Sequence, residues 1–181
     1  MKNISPTIAL SDSLILRKPK ISDKEERFKY GRPNEFRKMC GGDMKHIPPF
    51  TKEDAQKFYD KMLSIPYDWV IEFNGRMIGG ASLKLGVTDN GARYSIGILE
   101  DSLYSKGMGT KITNAILDFA FNELLLHRVD LIVLDFNRRA IRCYEKCGFT
   151  KEGVIRDSIL IDGIYYSDII MSILENEYNK N

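Results

Sequence analysis

The chain has no uninterrupted run of about 18 apolar residues, the length a helix needs to cross a bilayer. Its opening segment, MKNISPTIALSDS, carries no apolar core of the signal-peptide kind. The expectation is a cytoplasmic protein with no membrane partner. Cysteine is scarce: Cys40, Cys143 and Cys147 make an odd set of three, too few for a disulfide framework. Histidine is scarcer, with only His46 and His127, and neither stands at zinc-ligand spacing from a cysteine, so no metal is expected. Charge of one sign is not in excess, since 27 basic and 25 acidic residues leave a net +2. They are mixed along the chain, and without a basic stripe nucleic acid is not the expected partner. The Asn3-Ile4-Ser5 triplet fits a glycosylation acceptor formally and is read as chance.

What remains is an ordinary globular composition, 43% hydrophobic and 29% charged over 181 residues. That length buries a full core in one unit, so residues 1–181 are expected to form a single domain. No internal repeat, low-complexity tract or linker interrupts it.

The pattern along the chain gives strand at 13–18, polar surface helix after Ser22, and a helix capped by Thr51 that runs to the breaker Pro66. Strand periodicity then takes over in DWVIEF and RMIGGASLKL, joined by Asn74-Gly75, the pair that favours a tight hairpin turn. The turn cluster Asp89-Asn90-Gly91 leads into a third antiparallel strand ending near Glu100. Helical spacing covers 107–126, with Met108, Ile112, Ala115, Ile116 and Phe119 on one apolar face. VDLIVLDF is apolar on both faces and reads as a central strand. Asn137 caps a short helix that Gly148 stops, and two strands joined by Asp162-Gly163 close the chain.

Residues Tyr104-Ser105-Lys106-Gly107-Met108-Gly109-Thr110 lie between a strand end and a helix start. Backbone N–H groups without intrahelical partners point outward there, and the helix dipole adds partial positive charge. Gly107 and Gly109 let a phosphate approach the backbone, and Lys106 adds charge; taken alone, the same glycines would also serve simply to ease a turn. A dinucleotide fingerprint fails because position 112 is isoleucine, and a triphosphate loop fails because the order is Lys106-Gly107.

The downstream segment Asn137-Arg138-Arg139-Ala140-Ile141-Arg142-Cys143-Tyr144-Glu145-Lys146-Cys147-Gly148-Phe149, together with the loop at 104–109, resembles the GNAT acyltransferase superfamily. The likeness is to its branch of ribosomal-protein N-terminal and diamine N-acetyltransferases, and it covers roughly Asp68 to Leu174. One departure is Tyr104, where the family usually has glutamine or arginine. The resemblance implies an α/β fold with a mixed, mainly antiparallel sheet of about six to seven strands flanked by about four helices. It also implies acetyl-CoA as cosubstrate, with no metal. The backbone of Ile98, Leu99 and Glu100 would pair with the pantetheine arm, residues Tyr104, Ser105, Lys106, Gly107, Met108, Gly109 and Thr110 would hold the diphosphate, and Asn137, Ala140 and Tyr144 would face the thioester end. Helix spacing independently puts positions 137, 140, 141 and 144 on one face.

Amide formation from a thioester needs a neutral amine, stabilisation of the carbonyl oxygen and a proton for the departing sulfur. Tyr144 is the candidate acid, and Glu100, Glu72 and Asp135 are the carboxylates expected nearest the cleft, with Glu100 taken as the catalytic candidate. An acyl-cysteine route through Cys143 or Cys147 is rejected, because no histidine is linked to their helix as an activating base. Both histidines read as surface or cap residues. Expected acceptors are primary amines, among them peptide N-termini, polyamines, free amino acids and antibiotic amines, with peptide N-termini slightly ahead from the branch likeness. The alternative is a non-catalytic acetyl-CoA-binding module of the same fold, and a homodimer is left open.

Overall fold

A computed structural model describes residues 5–178, so Asn3 and Ile4 of the formal glycosylation triplet lie outside the described residues. Strands β1 (Ile8–Ala9), β2 (Leu14–Arg17), β3 (Asp68–Phe73), β4 (Arg76–Leu85), β5 (Gly91–Ile98), β6 (Arg128–Leu134), β7 (Thr150–Ile161) and β8 (Ile164–Leu174) form one sheet. Its order is β1-β2-β3-β4-β5-β6-β8-β7. Every neighbouring pair is antiparallel except β5 with β6. The helices are α1 (Asp23–Tyr30), α2 (Asn34–Met39), α3 (Lys52–Ser64), α4 (Met108–Asp118), α5 (Arg138–Lys146) and α6 (Glu175–Tyr178). The fold is the expected mixed α/β class, with eight strands and six helices among the described residues where fewer of each were expected. The added strand at the first edge is the two-residue β1, too short to leave a period in the sequence.

Local chemistry explains the main boundaries. Thr51 and Asp54 form a reciprocal capping box at the start of α3, which satisfies two otherwise orphaned amides. Asn74 and Gly75 both have positive φ, 50° and 77°, as the turn that matches strand twist requires. The helix expected over 107–126 is shorter. After Asp118 the chain widens into a π-turn, Phe119–Glu123, closed by Leu124 N–H donating to Phe119 O at 3.0 Å. That extra residue re-aims the apolar face. Phe119 thereby packs edge-on against Trp69 at a centroid distance of 5.7 Å and tilts against Tyr67 at 5.4 Å.

The sheet carries apolar material on both faces. On one face β3, β4, β5, β6 and β8 bury Trp69, Leu83, Tyr94, Leu131 and Met171 against Ile112 and Ile116 of α4 and Ile141 and Tyr144 of α5. On the other face Val70, Met77 and Leu99 meet Met62 of α3, with Tyr30 of α1 and Phe36 of α2 packed against them. Strand alternation therefore assigns a face to each residue near the sheet centre. Tyr94, Ile96, Ile98 and Val133 lie on the α4–α5 face, and Ser95, Gly97, Ile132 and Leu134 on the opposite one. The cover on that second face is close: a Cβ at Gly97 would stand 2.6 Å from the Phe36 ring.

Candidate active site

β5 and β6 pair only at Gly91↔Arg128, Ala92↔Val129 and Arg93↔Asp130. Arg93 Nε donates to Asp130 Oδ1 at 2.6 Å at the last of these rungs, and beyond it the parallel ladder stops. On their outer edges the two strands remain paired, β5 with β4 as far as Ile98 and β6 with β8 as far as Leu134. Residues 95–98 and 132–134 line the resulting gap; the Ile98 carbonyl there accepts from Tyr104 Oη at 2.8 Å and the Leu134 carbonyl from Asn137 N–H at 2.9 Å, and the remaining inner-edge amides and carbonyls are open to a ligand. The gap is part of a cavity of about 670 Å³. Because its lining includes Ile96, Ile98 and Val133 from one face and Ser95, Gly97 and Leu134 from the other, the cavity passes through the sheet.

On the α4–α5 face the cavity meets the start of α4. Gly107 has φ +77° and a Cβ added there meets nothing within 4 Å, so its need for glycine is conformational. No side chain caps α4, which leaves its first-turn amides for a ligand. The start of α5 is different: Asn137 Oδ1 accepts from Ala140 N–H at 3.2 Å and satisfies that end. Lining cations are Arg139, Arg142 and Lys146, all on α5. The Arg139 guanidinium lies 3.8 Å above the Tyr104 ring, and burial pushes the Tyr104 hydroxyl up to about 12.

Of the residues expected to bind cofactor or act on it, Ile98, Tyr104, Ser105, Gly107, Gly109, Thr110, Asn137, Ala140 and Tyr144 line this one cavity. Leu99, Glu100, Lys106 and Met108 are not among the lining residues. Leu99 is buried on the α3 face and its N–H donates to Ile78 O at 2.8 Å. The Glu100 carboxylate accepts from Tyr30 Oη at 3.2 Å and from Ser102 Oγ at 2.9 Å, with Arg76 Nη2 at 3.4 Å. Glu72 is tied into a buried ion cluster, accepting from Arg17 Nε at 2.5 Å and Lys20 Nζ at 3.1 Å. Asp135 accepts from Ser167 N–H at 3.4 Å. The lining carboxylate is instead Asp168 on β8, which sequence reasoning did not single out; the signal for it lay only in the pairing of β8 with β6.

Two tyrosines meet at the cavity, with ring centroids 6.3 Å apart and nearly perpendicular. Tyr94 has its hydroxyl engaged by Thr113 Oγ1 at 3.0 Å. No described residue hydrogen-bonds the Tyr144 hydroxyl, and among described residues the sealed, unpartnered side-chain oxygen is Asp68 Oδ1. The Tyr144 hydroxyl therefore opens to the cavity. Burial, with the neighbouring cysteines adding, holds it well above the ordinary tyrosine range, which keeps it a proton donor near neutral pH. Cys143 also lines the cavity. The neighbouring Cys147 thiol draws it down to about 6, with Thr110, whose Oγ1 lies 3.4 Å from Cys143 Sγ, and Thr113 adding and burial opposing. Cys147 moves upward by the same interaction. His127 Nδ1 lies 3.0 Å from Glu175, and His46 is largely exposed.

Comparison with known proteins matches residues 13–150 to the acetyltransferase (GNAT) domain model. A probable N-acetyltransferase of Bacillus subtilis, YjcK, is 34% identical over 100 residues, a match that spans 55% of each chain. Spermidine N(1)-acetyltransferase of Escherichia coli K12 is 31% identical over 128 residues, 69% of this chain and 68% of that one. The crystal structure of spermidine N-acetyltransferase from Vibrio cholerae, in complex with CoA and spermine, superposes with a TM-score of 0.76 at 24% identity, covering 93% of this chain and 99% of that one. No helix of the described residues is long and apolar enough to cross a membrane, and no described group of histidines, cysteines and acids could hold a metal ion. A strand gap opened through the sheet, an uncapped helix start at one side and the match over most of the chain agree, and the chain belongs to the GNAT acetyltransferase family.

Proposed function

We propose that this single-domain protein transfers an acetyl group from acetyl-CoA to a primary amine by direct attack, with both substrates held in one cavity. The observation that carries the reading is the passage through the sheet, which gives donor and acceptor separate entrances. The open amides at the start of α4 would take the cofactor diphosphate, with Arg142 and Lys146 supplying charge. The unpaired edge of β5 at Ile96 and the Ile98 amide would pair with the pantetheine arm. The amine, arriving from the α2 side, attacks the thioester carbonyl carbon. The C–N bond forms as the C–S bond breaks, the Tyr144 hydroxyl gives its proton to the departing sulfur, and the proton lost by the nitrogen passes through water to restore the phenol.

The diamine side of the branch likeness gains support from the spermidine acetyltransferase relative, so a polycationic amine leads over a peptide N-terminus. A binding-only module would have no need of an unpartnered phenol at the thioester end. The test is release of free thiol from acetyl-CoA when purified protein is offered spermidine, kanamycin or a short peptide. Thiol release with at least one of these amines is expected. The control is Gly109→Val. A Cβ at Gly109 meets Cys143 Sγ at an ordinary 3.4 Å, so the variant is expected to fold, checked by circular dichroism, with CoA binding by calorimetry reduced. Absence of any thermal shift with CoA in the parent protein would refute the reading, because a ligand of the folded state must raise stability.

A further inference from the structure

The charges of the cavity are separated. Its cations Arg139, Arg142 and Lys146 all stand on α5, whereas its carboxylate among the lining residues is Asp168. Asp168 pairs with Leu134 of β6 and Ile155 of β7. Its chain neighbour Ile169 belongs to the α4–α5 core, so alternation turns Asp168 to the opposite face. That is the face of α2, whose C-terminal end lies over Leu134 and Ile159: a Cβ at Gly41 would stand 2.5 Å from Ile159 Cδ1 and 3.4 Å from Leu134 Cδ1. Asp168 is half-buried, and none of the ion pairs or side-chain hydrogen bonds among described residues includes its carboxylate. The other acids near the cleft are already held by Arg17, Arg76, Tyr30 or the Ser167 amide.

We infer that Asp168 is the specificity-determining residue of the acceptor side, pairing with a second protonated nitrogen of a di- or polycationic amine while the first nitrogen attacks. This rests on the acetyltransferase reading above. A half-buried carboxylate without a partner is an incomplete ion pair, and an ammonium on a flexible amine completes it with charge-assisted hydrogen bonds. Arg139 is already paired with Glu35 at 3.7 Å; the other two α5 cations, Arg142 and Lys146, would repel such an acceptor until the cofactor phosphates neutralise them. The acceptor therefore binds the cofactor-loaded protein more tightly than the free one.

The probes are 1,4-diaminobutane and butylamine, similar in length and differing in the second charge. Calorimetry on CoA-saturated protein should show the diamine bound more tightly than the monoamine. Asp168→Asn should weaken diamine binding roughly 10- to 100-fold, the loss expected for a hydrogen-bonded charge, and leave butylamine and CoA affinities unchanged. Asp168→Glu should recover part of the preference. Equal weakening of both amines, or no change in either, overturns the inference. So does a diamine preference that survives in the asparagine variant with CoA binding intact. Loss of CoA binding by the parent protein would instead refute the enzyme reading itself. Because these are binding measurements, they decide the role of Asp168 whether or not either probe is turned over.

Discussion

The Tyr104 hydroxyl donates a 2.8 Å hydrogen bond to the carbonyl oxygen of Ile98, tying the turn before α4 to the last residue of β5. The Tyr104 ring also supports the Arg139 guanidinium, 3.8 Å above it. The tyrosine thus joins two walls of the cofactor side without needing to reach the ligand itself.

Tyr104→Phe is expected to keep the ring under Arg139 and release the Ile98 carbonyl. Losing one partly buried hydrogen bond costs about 1 kcal/mol, which for a chain of this size lowers Tm by roughly 2–4 °C. Thermal unfolding with and without CoA checks this. An unchanged Tm would show that water replaces the hydroxyl at no cost and that the tie has no structural weight.

For Tyr144 the expected outcome is kinetic. Tyr144→Phe retains packing against Tyr94 and Phe149, whose ring centroids lie 6.3 and 5.8 Å away, but removes the proton donor. A kcat reduced roughly 10- to 1,000-fold with CoA affinity unchanged is expected, at or below the usual range for an acid–base group. Steady-state kinetics within about twofold of the parent would make Tyr144 a packing residue.

The Cys143 thiol, drawn down to about 6, should alkylate with iodoacetamide at a rate that rises through that pH instead of through the usual thiol range near 8.5. Bound acetyl-CoA should protect it, since Cys143 lines the same cavity. The sign for stability follows from the direction of the shift. A folded-state pKa below the ordinary thiol value contributes stability above that ordinary value, which is lost as pH falls towards about 6. Cys147, shifted upward, contributes below its ordinary value and loses that contribution as pH rises. Cys143→Ala should still turn over, because the amine attacks the thioester directly. An inactive but folded Cys143→Ala, with an acyl-enzyme trapped by mass spectrometry, would replace direct attack with a covalent route.

Some of this protein is written in short-range chemistry. The capping box at Thr51, the Asn74-Gly75 and Asp162-Gly163 turns and the stop at Gly148, where φ is +91°, each depend on residues a few positions apart. The same is true of the Asn137 cap and of the glycines at the start of α4, so this loop and the helix capped by Asn137 could be read before any fold was known. The π-turn after Asp118 was hidden, because apolar spacing looks nearly the same for a helix and for one widened by a single residue.

The acidic part of the cavity depends on long-range pairing. Asp168 reaches the cavity because β8 pairs with β6 in a register that sets it beside Leu134. Glu72, an equally plausible acid in the sequence, is drawn away by Arg17, which is 55 positions distant along the chain. Carboxylates are alike in sequence and differ only in their partners, and those partners are supplied by strand order and register. Likewise, the point where β5 and β6 part is decided by the sheet as a whole: each strand carries an ordinary alternating pattern, and nothing local records that their ladder ends at Arg93 and Asp130. The residues themselves therefore determined which segments could bind an anion or donate a proton, while tertiary structure decided which charge remained free and which side chains share the cavity.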